Sequence, residues 1–220
     1  MAQKIPVVEN ILNANDRLAA ANQARLEGHG ILGLNLLASP GAGKTSLILR
    51  TVEALASAAR LGVLEGDTAA VTIDADKINA LGVPAVQINT GGQCHLDATM
   101  VQAGLAQFDL AELDCLIVEN VGNLVCTADF RLGMGLTVLI ASIPEGDDKP
   151  YKYPAIYRGI DALIINKIDL LPYVPFNMDY FRCGVEALNP GLVSFPLSCA
   201  SGEGLTAWTE WLLEQIRRQR

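Results

Sequence analysis

The segment ILGLNLLASPGAGKTS at residues 31–46 constrains the fold of this chain more than any other feature. Its apolar first half, residues 31–37, predicts a buried strand. Apolar residues at helical spacing follow from Leu47 to Leu55, so the glycine-rich stretch between them must turn a strand into a helix. Strand, glycine loop and helix in this order are typical of a phosphate-binding P-loop. The alternative is an ordinary glycine-rich turn, which Gly43-Lys44-Thr45 makes the weaker interpretation.

In a P-loop, small residues let backbone N–H groups turn inward around phosphate oxygens, at the positive end of the following helix. Lys44 is predicted to reach the β and γ phosphates, and the Thr45 hydroxyl to bind Mg²⁺. Ala38 stands where the usual first glycine would be, but a small residue still fits there. The residues assigned to phosphate binding are Gly41, Ala42, Gly43, Lys44, Thr45 and Ser46.

A second signal follows another apolar stretch, residues 161–165, which runs into Asn166-Lys167-Ile168-Asp169. The carboxylate of Asp169 suits guanine, because it can accept hydrogen bonds from both N1–H and the 2-amino group. Adenine lacks that donor pair and would leave Asp169 unpaired. Asn166 is expected to bond the purine edge or to brace the loop, and the stem of Lys167 to lie along the base. Four residues alone also fit a capping turn, but after a P-loop they predict GTP and GDP as ligands.

Length and composition agree with a single α/β domain with a sizeable core, because the chain has 220 residues and is 50% hydrophobic. The formal net charge is −8 and no basic stripe is visible, which argues against nucleic acid as a partner. No apolar stretch approaches the roughly 20 residues that span a bilayer. Five cysteines without a secretion signal favour reduced thiols in the cytoplasm.

Strand-like and helix-like segments alternate along the chain, which predicts a mostly parallel sheet covered by helices on both faces. Further strands are expected at residues 61–64, 84–88, 114–118, 137–141, 161–165 and 192–196. Helices are expected at residues 45–58, 96–108, 177–188 and 206–218. Residues 1–30 are predicted to form an N-terminal helical extension with an apolar stripe of Val8, Ile11, Leu12, Leu18 and Leu26. Residues 31–220 are predicted to form the nucleotide-binding domain.

Cysteine and histidine gather near the predicted nucleotide site. Cys94 and His95 are adjacent, and Cys126 lies on the segment that leaves the strand at residues 114–118. Glu119-x-x-Gly122 begins that segment, so the Gly122 N–H is expected to sense the γ-phosphate and Glu119 to act near Mg²⁺ or water.

Thiolate and imidazole suit Zn²⁺ or Ni²⁺ rather than Mg²⁺. Three ligands are fewer than the four of a closed zinc site, and two subunits meeting at this surface could complete the shell. From composition alone, the favoured interpretation is that Cys94 and Cys126 are buried structural thiols and that His95 starts a helix, because the cysteines do not form a repeated Cys-x-x-Cys pattern.

These residues resemble the HypB family, the hydrogenase nickel-incorporation (maturation) GTPases. The most specific strings are Cys-His-Leu-Asp-Ala at residues 94–98 and Glu-Asn-Val-Gly-Asn-Leu-Val-Cys at residues 119–126. Glu65-Gly66-Asp67, the segment EGDDKPYKYP at residues 145–154 and the two nucleotide motifs also match. The resemblance implies a P-loop NTPase fold of the SIMIBI class of GTPases and a homodimer that forms with GTP.

For the individual residues, the resemblance implies that Cys94, His95 and Cys126 bind Ni²⁺ or Zn²⁺ near the dimer interface. It implies that Asp67 joins Thr45 around Mg²⁺. Ser198-Cys199-Ala200 resembles the base loop whose backbone N–H groups lie near guanine O6. Here Cys199 replaces the usual alanine and Ser201 the usual lysine, so side-chain contributions in this loop are not carried over.

The implied function is hydrolysis of GTP to GDP and phosphate to drive nickel insertion during [NiFe]-hydrogenase maturation. The implied partners are other hydrogenase maturation factors and the hydrogenase large-subunit precursor. No cysteine or histidine precedes His29, so the nickel-storing N-terminal motifs of some family members are not expected to act here. Two alternatives are a zinc-bridged scaffold G-protein that delivers no metal, and the related urease nickel GTPase, whose Cys-Pro-His motif this chain lacks.

Overall fold

The fold is known from a computed structural model that describes residues 7–68 and 73–220. Residues 1–6 of the predicted N-terminal extension therefore lie outside the described part. The strands are β1 (Leu32–Ala38), β2 (Leu61–Asp67), β3 (Ala85–Asn89), β4 (Cys115–Glu119), β5 (Leu136–Ser142), β6 (Ala162–Asn166) and β7 (Val193–Pro196). The helices are α1 (Val7–Gly28), α2 (Lys44–Leu55), α3 (Ile73–Ala80), α4 (Ala98–Leu105), α5 (Cys126–Asp129), α6 (Lys149–Lys152), α7 (Pro154–Arg158), α8 (Met178–Leu188) and α9 (Leu205–Gln219).

The strands form one seven-stranded sheet in the order β3-β2-β4-β1-β5-β6-β7. Every strand pairing recorded in this sheet is parallel. The predicted α/β fold with a mostly parallel sheet is thereby confirmed. Because the strands all run the same way, their carboxyl ends lie at one edge, where ligands bind in sheets of this type.

Helices cover both faces of the sheet, as the contacts of two successive side chains of β6 show. Ile164 belongs to an apolar cluster that contains Trp208 of α9, whereas its neighbour Ile165 belongs to a separate cluster with Phe181 of α8. Successive side chains of a strand point to opposite faces. Within the described residues, no helix combines the length and the apolar character that crossing a membrane requires.

Several predicted elements differ from the structure at their ends, and two of these differences have a clear physical cause. The helix expected from residue 96 begins at Ala98 instead, because Asp97 caps it by accepting a hydrogen bond from Met100 N at 2.8 Å. The strand expected at residues 61–64 continues to Asp67, because parallel pairing with β3 extends to its last residue. The apolar pattern stops at Leu64 because Glu65 and Asp67 are polar, so it did not predict that the strand continues.

The apolar stripe predicted on α1 is only partly buried: Leu26 is buried, whereas Leu12 and Leu18 are half-buried. Ile11 is 53% exposed, and the side chain of Val8 lies outside the described part. The buried face of the helix instead comprises Asn15, Ala19, Asn22 and Leu26. A pattern of apolar residues cannot predict this face, because two of its four residues are asparagines.

A buried carboxylate lies at the amino ends of the strands, on the side of the sheet away from the P-loop. Asp114 precedes β4 and is 3% exposed, and it accepts hydrogen bonds from Arg60 N at 2.8 Å and Arg60 Nη2 at 2.7 Å. Arg220, the last residue, also pairs with it. Hydrogen bonding to Arg60 lowers the pKa of Asp114 well below its usual range, against the opposing effect of burial.

We predict that Asp114→Asn lowers the free energy of unfolding at pH 7 by roughly 1–2 kcal/mol, because charged hydrogen bonds are lost. The carboxylate stabilises the fold above the pKa of an unfolded aspartate, about 3.9, and this contribution is lost as the pH falls towards the lower folded pKa. The difference between variant and wild type should therefore shrink in acid.

Urea unfolding at pH 7 and below pH 4 measures both effects. The matched control is Asp161→Asn, since Asp161 accepts a backbone hydrogen bond from Thr137 N at 2.7 Å at the corresponding place before β6. An equal loss of stability in both variants, at both pH values, would contradict the assignment to the Arg60 pair.

Candidate functional site

The loops that carry the predicted site residues meet at the carboxyl edge of the sheet. The P-loop follows β1, and Asp67 ends β2. Glu119 ends β4, Asn166 ends β6, and Ser198 follows β7. The topology therefore brings together all the segments that the sequence assigned to nucleotide binding.

The P-loop owes its shape to two glycines with left-handed backbones. Gly41 has φ 75° and Gly43 has φ 103°, and Gly43 is the N-cap of α2. A Cβ atom at Gly43 would collide with the side-chain amide of Asn166, so the close approach of the two loops also requires glycine there. The first N–H groups of α2 are left without partners in their own helix, which suits an anion. Ala42 is buried beneath the loop, and Ser46 is exposed.

The charges around the P-loop lysine oppose its desolvation. Burial lowers the pKa of Lys44, and the nearby carboxylates Glu119, Glu145, Asp67 and Glu65 act in the opposite direction. A cationic amine surrounded by carboxylates is the arrangement expected where phosphate and Mg²⁺ are to be held together.

Thr45 and Glu119 are joined directly at the start of α2. The Thr45 hydroxyl donates to Glu119 Oε1 at 3.1 Å, and Glu119 is 5% exposed. Glu119 also lies level with Glu65 in the β2–β4 pairing, which places a second buried carboxylate beside it. The sequence pattern Glu65-Gly66-Asp67 predicted no role for Glu65 itself.

The segment after β4 passes against the P-loop. A Cβ atom at Gly122 would lie 3.0 Å from Pro40 N and 3.3 Å from Lys44 Nζ, so any larger residue would press on the P-loop. The sequence prediction that Gly122 lies near the phosphate site is consistent with this contact.

Asn166 ties three loops together. Its Nδ2 donates to Ala42 O at 2.9 Å, and its Oδ1 accepts from Lys167 N at 2.8 Å and from Cys199 N at 3.3 Å. The two sequence-based possibilities for Asn166 were a purine contact and a brace, and the observed contacts are those of a brace.

Lys167 and Asp169 complete this loop. Lys167 adopts a left-handed backbone with φ 64°, and its Nζ donates to Gly41 O at 2.6 Å. Asp169 Oδ1 is buried and has no hydrogen-bond partner among the described residues. A buried carboxylate oxygen without a donor is costly unless a ligand supplies one.

The loop after β7 is ordered by its own backbone and by Ser198. The Ser198 hydroxyl accepts from Ser201 N at 3.1 Å, and Arg50 Nε donates to Cys199 O at 3.0 Å. Burial raises the pKa of Cys199 to about 11, so its thiol stays protonated at neutral pH. Ala200 is exposed at the turn.

Cys94, His95 and Cys126 converge although their segments are far apart in sequence. One ligand atom from each lies within 4.8 Å of the other two, and Cys94 Sγ is 3.8 Å from His95 Nδ1. All three residues are half-buried. Hydrogen bonding to Cys94 raises the pKa of the Cys126 thiol. The donor set of two sulfurs and one imidazole fits a borderline or soft cation such as Ni²⁺ or Zn²⁺.

Neighbouring side chains fix these ligands. Asn123 Oδ1 accepts from Val125 N at 2.7 Å and from Cys126 N at 3.0 Å, which holds the first turn of α5. The ring of Phe130 stacks on His95, with 3.9 Å between the ring centroids.

Asn120 connects the two candidate sites, and sequence reasoning gave it no role. It is fully buried, and its Oδ1 accepts from both Leu96 N at 3.0 Å and Val121 N at 2.9 Å. Leu96 follows His95 and packs so closely over Gly66 that a Cβ atom there would lie 2.6 Å from it. The sequence feature that could have indicated this role is the position of Asn120, directly after Glu119 at the end of the apolar strand β4.

Comparison with known proteins agrees with this arrangement. The nucleotide-binding domain of the CobW/HypB/UreG family matches residues 34–194. Hydrogenase maturation factor HypB of Azotobacter vinelandii is 46% identical over 219 residues, which cover 100% of this chain and 71% of that protein. The crystal structure of HypB from Helicobacter pylori in complex with nickel superposes with a TM-score of 0.88 and 35% identity, covering 93% of this chain and 96% of that one.

A more distant likeness concerns the fold alone. The 54 kDa signal recognition particle protein of Aeropyrum pernix in complex with GDP gives a TM-score of 0.56 at 15% identity, covering 84% of this chain and 49% of that one. The parallel P-loop NTPase fold expected from the sequence is confirmed. From its sequence and its fold together, the chain belongs to the HypB family of GTP-binding hydrogenase maturation factors.

Proposed function

We propose that this chain is a GTPase and metallochaperone, in which GTP binding and hydrolysis time the insertion of nickel during [NiFe]-hydrogenase maturation. The observation that carries the proposal is the path of residues 119–126. One short segment begins at Glu119 beside Thr45, passes the P-loop at Gly122 and ends at Cys126 in the Cys/His cluster. A change in nucleotide therefore acts on a segment that also holds a metal ligand.

On the nucleotide side, the glycine loop and the start of α2 hold the phosphates, with Lys44 at the β and γ positions. Thr45 and Asp67 hold Mg²⁺, and Glu119 acts near the metal or the attacking water. The Gly122 N–H senses the γ-phosphate. Asp169 reads guanine, which gives its unpartnered Oδ1 the donors that it lacks.

On the metal side, Cys94, His95 and Cys126 hold the transported cation. The HypB structure from Helicobacter pylori in complex with nickel supports Ni²⁺ as that cation. Three ligands leave room for a further ligand in a four-coordinate shell. A second copy of the chain, bound in the GTP state, would close the site on loading and reopen it on hydrolysis. The receivers are other maturation factors and the hydrogenase large-subunit precursor.

Asn120 supplies the physical link between the two ligands. Its Oδ1 holds the backbone of Leu96, next to His95, and that of Val121, next to Gly122. A shift of Gly122 towards the γ-phosphate also moves its neighbour Val121, whose N–H is bonded to Asn120 Oδ1. The same side-chain oxygen accepts from Leu96 N and so anchors the loop that carries Cys94 and His95. Metal affinity and nucleotide affinity are then linked reciprocally, by about 1–3 kcal/mol.

The proposal is tested by titrating Ni²⁺ into protein loaded with GDP and with a non-hydrolysable GTP analogue. We expect a difference in affinity or stoichiometry between the two states. Cys94→Ala should abolish tight Ni²⁺ binding and leave GDP binding intact, whereas Lys44→Ala should remove the nucleotide effect and keep Ni²⁺ binding. Identical titrations in both nucleotide states would favour the zinc-bridged scaffold over a protein that delivers metal.

We predict guanine specificity from Asp169. Asp169→Asn places an amide donor against guanine N–H groups and should weaken GTP binding by about 2–4 kcal/mol. Xanthine nucleotides carry an acceptor in place of the 2-amino group and should bind the variant better than GTP does. Competition titrations with GTP and xanthosine triphosphate measure both changes. Full GTP affinity in the variant would refute the base-reading role.

We predict that unassisted hydrolysis is slow, below about 10⁻² s⁻¹, because the sequence motifs offer neither a catalytic glutamine after Gly122 nor an arginine finger to stabilise the transition state. Asn123 follows Gly122 where a catalytic glutamine would stand, and its Oδ1 is occupied by the backbone N–H groups of Val125 and Cys126. Phosphate release should require Mg²⁺ and disappear in Lys44→Ala. Rapid turnover by a dilute monomer would contradict this expectation.

A further inference from the structure

The buried face of α1 is unusual because half of it is polar. Asn15, Ala19, Asn22 and Leu26 follow one another at helical spacing and are at most 7% exposed. A buried side-chain amide costs free energy unless it is hydrogen-bonded. Two asparagines seven residues apart therefore need partners on whatever α1 packs against.

Those partners belong to two separate segments of the chain. Asn15 Oδ1 accepts from Ala98 N at 2.8 Å, and its Nδ2 donates to Arg131 O at 2.8 Å. Asn22 Nδ2 donates to Ala98 O at 2.9 Å and to Leu132 O at 3.2 Å. Each asparagine thus spans the same gap, from the start of α4 to the stretch after α5.

These two segments are the ones that carry the metal ligands. Ala98 lies three residues after His95, and Arg131 lies five residues after Cys126. Phe130, next to Arg131, stacks its ring on His95. The hydrogen bonds of α1 therefore fix both ends of the cluster and the ring that packs on its imidazole.

The stretch after α5 is shaped to receive α1. Gly133 has φ 86°, and a Cβ atom there would collide with Ala19 O and lie 2.9 Å from Asn22 Cβ. Glycine at this position lets the helix backbone approach closely enough for the asparagine contacts to form.

We infer that Asn15 and Asn22 are positioning residues of the metal centre, and that α1 is the brace that holds Cys94 and His95 opposite Cys126. The inference rests on the proposed metal-binding role of those three residues. Ligand segments that are fixed before binding leave less freedom to be lost when the cation arrives. Outer partners that orient ligands commonly change metal affinity by 10–100-fold when they are removed.

The test uses nearly isosteric changes in the full chain. Asn15→Asp keeps the acceptor for Ala98 N and loses the donor to Arg131 O. It therefore removes the link from α1 to the stretch after α5 and retains the link to α4. Asn22→Asp loses the donors to Ala98 O and Leu132 O. Each variant is titrated with Ni²⁺ in the presence of GDP, and the thiolate-to-nickel charge-transfer absorption is recorded as well as the affinity.

Two asparagines elsewhere provide matched controls. Asn79 is exposed, but like Asn15 it uses its side chain to accept one backbone hydrogen bond, from Ala85 N at 2.9 Å, and to donate another, to Ala85 O at 3.2 Å. Asn189 donates to Tyr157 O at 3.1 Å and Ile160 O at 2.9 Å, like Asn22. Asn79→Asp and Asn189→Asp should alter stability and leave both the Ni²⁺ affinity and the absorption band unchanged.

We expect Asn15→Asp and Asn22→Asp to weaken Ni²⁺ binding by about 10–100-fold and to alter the charge-transfer band, with GDP affinity retained. Folded variants that bind Ni²⁺ as the wild type does would overturn the inference, as would equal losses in the control variants. A wild type that binds no Ni²⁺ through Cys94, His95 and Cys126 would instead refute the proposed function itself.

Wild-type protein provides a second measurement should the variants fail to fold. If the brace favours metal binding, metal binding must favour the brace to the same extent. Saturating Ni²⁺ should therefore slow hydrogen exchange of the Ala98 amide, which donates to Asn15. Unchanged exchange at Ala98 with Ni²⁺ bound would contradict the positioning role.

Discussion

Parallel pairing of β1 with β4 is the constraint on which the site depends. Leu36 lies level with Glu119 in this pairing, and Asn120 N extends it by donating to Leu36 O at 3.1 Å. The segment after β4 must then leave the sheet beside the P-loop, with Glu119 against Thr45 and Gly122 against Pro40. Once that exit is fixed, Cys126 has only a short path to its position beside Cys94 and His95.

Buried asparagines do much of the joining in this molecule. Asn166 connects the P-loop to its own loop after β6 and to the loop after β7. Asn120 connects the segment after β4 to the loop that carries Cys94 and His95. Asn15 and Asn22 connect, through α1, the start of α4 to the stretch after α5. An asparagine carries both a donor and an acceptor and needs no counter-charge, so one side chain can bridge two backbones in a dry interior. Such networks are costly when half-satisfied, which favours a single arrangement of the loops.

The parts of the fold that were predictable depend on local patterns. A strand, a glycine loop and a helix read in order located Lys44 and Thr45, and a strand followed by Asn-Lys-x-Asp located Asp169. Apolar runs located the strands to within a few residues, because parallel strands buried on both faces are nearly continuous apolar runs.

The rest depends on contacts between distant residues, which no local pattern contains. The apolar stripe expected on α1 missed the polar half of its buried face, because Asn15 and Asn22 are buried by hydrogen bonds that only the folded chain supplies. The early start predicted for α4 missed the cap at Asp97 and the anchoring of Leu96 by Asn120. The convergence of Cys94, His95 and Cys126 likewise follows from the strand order and not from their spacing.

The most direct test of the account is to compare the nucleotide dependence of Ni²⁺ affinity in the wild type, Asn120→Asp and Asn120→Ala. The aspartate keeps an acceptor for Leu96 N and Val121 N, whereas the alanine removes it. We predict that all three proteins bind Ni²⁺ and GDP, and that the ratio of Ni²⁺ affinities with GDP and a GTP analogue persists in the aspartate variant. In the alanine variant this ratio should fall to one. An alanine variant that keeps the full wild-type ratio would show that nucleotide and metal do not communicate through Asn120.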